Sequence, residues 1–407
     1  MNKWSFCRVV FIVFFLAVDT AQSATSLSDN AKAALHTDIE FNGTSSIIVE
    51  YDNSNSASLL PGQSTEALVQ SMHKSFIGSL TQGTANNVSG SFSYMPGMVL
   101  SVDKKQLQEV LSNPFVKRVY QNKARRISLQ ESLGIVLPGR SKELHSGKGQ
   151  VVAILDTGVD SSHDFFKSNG QSRVVSEACY SGGGFSGFRQ IALTCPNRSR
   201  VQIGAGAGKD CTNLNISGCD HGTHVAGIAA GNDGVANEAG IIAIQIFTGL
   251  RDVFNDDICG TGVGQSCVVA FDSDIIKGLE RVYSLRNTYN IAAVNMSLGG
   301  GEFTASCDSE NSIMTSVIGK LKDAGIATVV ASGNNGFSDA VNFPGCISNA
   351  VTVGATSDFS GEAFGRSFIR DGRTFYSNHS ATVDLFAPGT LIRSSVPGNG
   401  FANFNGT

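Results

Sequence analysis

The chain has 407 residues, with 41% hydrophobic and 16% charged residues and a formal net charge of -4. That balance describes a globular protein with room for one large domain or two ordinary ones, and it argues against a nucleic-acid partner. The 46 glycines point to many tight loops rather than to low complexity.

The opening stretch MNKWSFCRVVFIVFFLAVDTAQSA places Lys3 and Arg8 ahead of an apolar run from Val9 to Val18, then small residues at Ala21, Ser23 and Ala24. This is the order of a secretory signal, so residues 1–23 are expected to be removed and the protein secreted to the extracellular space. A membrane anchor would need roughly 20 apolar residues. Without Cys7 the cysteines at 179, 195, 211, 219, 259, 267, 307 and 346 form an even set, which predicts disulfides in an exported chain. Close spacing favours Cys211 with Cys219 and Cys259 with Cys267. A zinc cluster is disfavoured because no Cys-x-x-Cys spacing occurs.

Residues 24–127 read as one small unit. SSIIVEY predicts a strand, TEALVQSMHKSFIGSL an amphipathic helix, and FSYMPGMVLSV a strand pair. DKKQLQEVLSNP predicts a second helix and VKRVYQ a last strand. The order β-α-β-β-α-β is that of a ferredoxin-like α+β unit. A basic stretch, NKARRIS, covers 122–128.

From Gln150 onward the texture changes. VVAIL, IIAIQIF, IAAVNMS, ATVVAS and AVTVGA are apolar runs of strand length, as a parallel sheet covered on both faces requires. Helical stretches at 272–289 and 310–325 lie between them, which predicts an α/β domain with function at the carboxyl ends of the strands.

Three segments stand at such ends. In VVAILDTGVD, Asp156 follows a strand directly, and a buried carboxylate there needs a partner. Asp-Thr-Gly also occurs in aspartic peptidases, but their chemistry needs a second copy and this chain has none. In GCDHGTHVAGIAAG, His221 and His224 open a small-residue helix. Their spacing is not the i, i+4 arrangement of a metalloprotease pair, and His221 is the better placed to face a cleft. In TVVASGNNG, Asn334 follows a strand, where its amide can donate to a developing oxyanion or simply shape a turn.

Together DTGVD, HGTHVAG, NMSLGG and ASGNNG, in that order, resemble the subtilisin-like serine peptidases over most of residues 130–407. The resemblance implies a three-layer, doubly wound, mostly parallel α/β sheet. It implies that Asp156 is the triad aspartate, His221 the general base and Asn334 the oxyanion-hole amide. Ser297, Leu298, Gly299 and Gly300, with Ala331, Ser332 and Gly333, would wall the cleft for the residue before the scissile bond. The unit at 24–127 resembles the family's inhibitory propeptide, acting on its own enzyme as an intramolecular inhibitor. In this family the nucleophile follows Gly-Thr in a Gly-Thr-Ser motif. The last residues here are Asn405-Gly406-Thr407, so the peptidase domain at 128–407 is expected to be incomplete at its C-terminus, short of its serine.

The expectation is a secreted, monomeric serine endopeptidase zymogen acting on proteins or peptides. The alternative is a truncated, inactive relative that binds peptides. No cofactor is expected for catalysis. A structural calcium of the family's type lacks clear ligands, since the usual calcium-ligating aspartate is not clearly present; Asp164 also stands where a proline is usual. The stretch 122–132 is expected to lie in the cleft and be cut. The small-residue walls predict preference for a large apolar side chain before the scissile bond.

Overall fold

The computed structural model describes residues 29–52, 64–127, 146–184, 191–251, 259 and 265–407. The signal at 1–23 and the segment 128–145 lie outside them.

The first unit consists of α1 (Asp29–Asn42), β1 (Ser45–Tyr51), α2 (Thr65–Gly78), β2 (Val88–Ser91), β3 (Gly97–Val102), α3 (Lys104–Ser112) and β4 (Val116–Gln121), followed by the short strand β5 (Ala124–Ile127). Its sheet runs β2-β3-β1-β4 with antiparallel neighbours. After α1, which the sequence reading missed, the strands and longer helices follow the anticipated β-α-β-β-α-β order. Helix starts are encoded locally. Ser64 accepts from the Ala67 amide at the head of α2, and Asp103 with Gln106 forms a capping box on α3. Central strand β1 is buried along its length. Its alternation sends Ile47, Val49 and Tyr51 to a core with Leu35, Phe76 and Leu107, while Ile48 faces the second unit beside Phe92 and Ile313.

The second unit is built on β6 (Val151–Asp156), β7 (Val174–Tyr180), β8 (Gly240–Gln245), β9 (Ile291–Met296), β10 (Ala327–Ala331), β11 (Val351–Thr356) and β12 (Leu385–Pro388). These lie in the order β7-β8-β6-β9-β10-β11-β12, all parallel, with the antiparallel strand Val201–Ile203 at one edge. The helix α4 (His221–Ala230) packs on one face through Val225, Ala226 and Ala230 against Ile154, Ile241 and Ala243. Helices α5 (Asp272–Leu285) and α6 (Ser312–Asp323) cover the other face, where Leu155, Ile244 and Val294 meet Ile275, Leu279 and Val317. This is the three-layer α/β arrangement that the apolar runs predict. The helices end earlier than the sequence patterns suggest, at Leu285 and Asp323. Strands β7 and β12 were not anticipated.

All eight cysteines named above are paired: Cys179–Cys195, Cys211–Cys219, Cys259–Cys267 and Cys307–Cys346. The two close pairs follow the spacing; the other two depend on where the fold brings the chain.

Candidate active site

Asp156 ends the central strand β6, and His221 opens α4. The Asp156 side chain is fully buried and that of His221 nearly so, with His221 Nδ1 2.6 Å from Asp156 Oδ1. A carboxylate only accepts, so Nδ1–H donates and the neutral ring keeps its lone pair on Nε2. Among the described residues, buried Nε2 has no hydrogen-bond partner. The Thr157 amide also donates to Asp156 Oδ1 (2.7 Å), and the Gly222 amide donates to the Thr157 hydroxyl (2.9 Å), fastening strand end to helix start. This approach requires glycine at two places. Gly158 turns at φ +96°, and a Cβ on Gly222 would collide with the Gly158 carbonyl and lie 3.1 Å from the Asp156 Cβ.

His224, one turn further on, is a core residue. Its Nε2 donates to the carbonyls of Ile392 (2.9 Å) and Ala402 (3.2 Å), and its ring stacks on Phe404 with centroids 4.1 Å apart. Burial, aided by the neighbouring His221, pushes its pKa down to about 4. Of the two histidines, only His221 pairs with a carboxylate.

The hairpin formed by β13 (Ile392–Val396) and β14 (Gly400–Phe404) lies on α4, and the chain then runs to the loop after β10. There the Thr407 hydroxyl donates to Asn334 Oδ1 (3.1 Å) and meets the Gly333 amide (3.1 Å). Gly333 has φ +106°, and any Cβ on it would overlap the side chains of Asn342 and Asn378. Asn334, Gly299 and Gly300 line one cleft of about 660 Å³ together with Asn342 and Phe303. Ala331 and Ser332 are buried, and the Ser332 hydroxyl donates to the Asn378 carbonyl (3.0 Å). The Ser297 hydroxyl accepts from Asn295 (3.0 Å).

A strand of the first unit, Ala124–Ile127, enters this groove. It pairs antiparallel with Ser266–Phe271 on one side (Arg125 opposite Ala270) and with Leu298–Phe303 on the other (Arg126 opposite Gly299, Ile127 opposite Leu298). Ile127 Cδ1 lies 2.9 Å from where a Cβ on Gly218 would be, so the strand points toward the start of α4 and His221.

The family model described as the subtilase family matches residues 147–407. The chain belongs to the subtilase family. The subtilase resembles subtilisin E of Bacillus subtilis (strain 168), at 27% identity over 334 residues, covering 79% of this chain and 68% of the relative. It resembles subtilisin J of Geobacillus stearothermophilus at 28% over 329 residues, with the same two coverages of 79% and 68%. A cuticle-degrading serine protease of Arthrobotrys oligospora (strain ATCC 24927 / CBS 115.81 / DSM 1491) is 27% identical over 348 residues, covering 80% of this subtilase and 68% of that protein. Membership implies a serine-type endopeptidase.

Sequence reasoning placed the stretch 122–132 in the cleft but missed the pairing of its Arg125 with Asp272, and it missed Glu280 at the contact between the units. Glu280 is buried and its two carboxylate oxygens accept from the amides of Ser93 and Tyr94, each at 2.7 Å. Burial raises its pKa to about 7, against the opposing pull of those amides. Among the described residues no cluster of three or more His, Cys, Asp or Glu is placed to hold a metal ion.

Proposed function

We propose that this subtilase is a secreted serine endopeptidase made as a zymogen, with residues 24–127 as its inhibitory propeptide. The observation that carries the reading is the buried Asp156–His221 pair, whose Nε2 has no hydrogen-bond partner among the described residues. A serine hydroxyl becomes a nucleophile only when a base takes its proton. His221 Nε2 is that base, while Asp156 holds the tautomer and stabilises the imidazolium formed on proton transfer. In the family's Gly-Thr-Ser order the nucleophile stands next to a Gly-Thr pair, and Gly406-Thr407 is such a pair. The contact of Thr407 with Asn334 supports the reading, since it holds this Gly-Thr pair beside the amide that would donate to the oxyanion. Gly299 and Gly300, with Leu298, form one side of the substrate groove. Ser297 and the segment Ala331 to Gly333 hold its walls.

Ala124–Ile127 lying between two strands of the groove supports autoinhibition: the propeptide's end occupies the substrate's place and is cut just past Ile127. His221→Ala in the complete precursor tests this. We expect casein hydrolysis to fall ~10⁴-fold or more and the precursor to keep its full mass. Unchanged hydrolysis in a purified sample would refute the role given to His221. A complete precursor that binds peptides without cutting any would favour the peptide-binding alternative.

A further inference from the structure

Arg125 is the one side chain of the inserted strand that is fully enclosed. It is 3% exposed, and Asp272, at the first turn of α5, is 2% exposed. Arg125 Nε donates to Asp272 Oδ1 (2.7 Å) and Nη2 to Oδ2 (3.0 Å), a two-pronged match of guanidinium to carboxylate. Nη1 donates to the Gly300 carbonyl (3.1 Å), and the guanidinium lies 4.3 Å from the centroid of the Phe343 ring. The Arg125 stem runs close past Gly300, where a Cβ would stand at ordinary contact distance, 3.7 Å from Arg125 Cδ. Neighbouring Arg126 points to solvent.

We propose that Asp272, the Gly300 carbonyl and the Phe343 ring form an arginine-selective subsite in the substrate groove. The protease then favours peptides that carry arginine at the register position Arg125 holds. This rests on the reading that Ala124–Ile127 occupies the place of a substrate. All three recognition groups come from the second unit, so the pocket stays with the enzyme when the propeptide leaves. An apolar side chain bound there would bury the Asp272 carboxylate without a partner, which is costly. Lysine offers a single point charge and cannot make both parallel bonds. Such a site rejects the side chain that leaves its buried polar group unpaired.

The test uses the active protease from the complete precursor and fluorogenic peptides built on the chain's own Ala-Arg-Arg-Ile-Ser-Leu sequence, residues 124–129. Replacing the first arginine of the peptide with leucine should lower kcat/KM at least ~10-fold, with lysine between the two. Replacing the second arginine should change it less. In the enzyme, Asp272→Asn should erase the arginine-over-leucine ratio. Equal cleavage of the arginine and leucine peptides by the parent enzyme would overturn the subsite and leave the protease reading standing; this comparison needs no variant to fold. A ratio that survives Asp272→Asn would also overturn it. Failure to cut casein or any peptide would overturn the protease reading, and the subsite with it.

Discussion

On one face of the four-stranded sheet, Ile47, Val49 and Tyr51 meet Phe76, Met72, Leu107 and Val110 of the unit's own helices. On the other face, Ile48 and Val99 share their contact with polar groups. Tyr120 and Glu50 reach Ser312, Asn122 reaches Ser273, and Glu280 holds the amides of Ser93 and Tyr94. The first face is an apolar core within one unit. The second is mixed, as contacts between units of one chain tend to be. The contrast teaches that the small unit's fold and its docking rest on different chemistry, so substitutions can separate them.

The largest effect should come from breaking the apolar face. Phe76 is 1% exposed and stacks on Tyr51 with ring centroids 4.4 Å apart. Phe76→Ala leaves a cavity there and should cost about 3–5 kcal/mol, unfolding the small unit first. Thermal melting of the precursor, read with hydrogen exchange on β1 and on β6, checks this. Equal loss of protection on both strands would mean that the two units do not fold on separate terms.

The mixed face should respond to pH through Glu280. A carboxyl whose pKa is raised to about 7 in the docked state takes up a proton on docking. Its contribution is therefore fully present below the ordinary carboxylate range and is lost as pH rises through about 7. Opening at the Ser93 and Tyr94 amides should be on the order of 10²-fold more frequent at the alkaline end, each pKa unit of the rise from 4.5 to about 7 being worth about 1.4 kcal/mol. Hydrogen exchange corrected for the intrinsic rate measures it, and Glu280→Gln should flatten the dependence. A profile that keeps its slope in that variant would assign the titration to another group.

The same contrast explains what could be read in advance. Strand β6 was legible because both its faces are apolar, and the start of α4 because small residues crowd around two histidines. The pairing of Asp156 with His221 spans 65 positions and followed only from the resemblance. Nothing local marked α1, whose sequence DNAKAALHTDIEFN shows no continuous apolar stripe. Arg125 was expected in the cleft only as one member of the basic stretch 122–132, and Asp272 stood simply at the start of the helical stretch 272–289. Their 147-position separation hides the ion pair until the strand is seated. Docking chemistry is long-range, and short sequence windows do not contain it.

The smallest effect, and the sharpest test of the contrast, concerns Tyr120. Its hydroxyl lies 2.6 Å from Ser312 Oγ and 3.0 Å from Glu50 Oε2, while Lys117 Nζ holds the other carboxylate oxygen at 2.8 Å. Burial pushes the Glu50 pKa up, but the bonds from Lys117 and Ser312, the Lys117 charge and the Tyr120 hydroxyl outweigh it, leaving the group below its ordinary value. Tyr120→Phe removes the hydroxyl's bonds with Glu50 and with the Ser312 hydroxyl and amide while the ring still packs, so we expect a loss of at least about 0.5–1.5 kcal/mol in denaturant unfolding of the chain. Ser312→Ala should cost a similar amount. Because the two hydroxyls touch each other and share one carboxylate, their effects should not add, with a coupling of roughly 0.5 kcal/mol or more. A carboxylate held below its ordinary value stabilises above the unfolded pKa, and that share is lost as pH falls through the folded one. The coupling should therefore shrink in acid. A double variant whose loss equals the sum of the single losses at neutral pH would show that the mixed face is a set of independent contacts rather than one network.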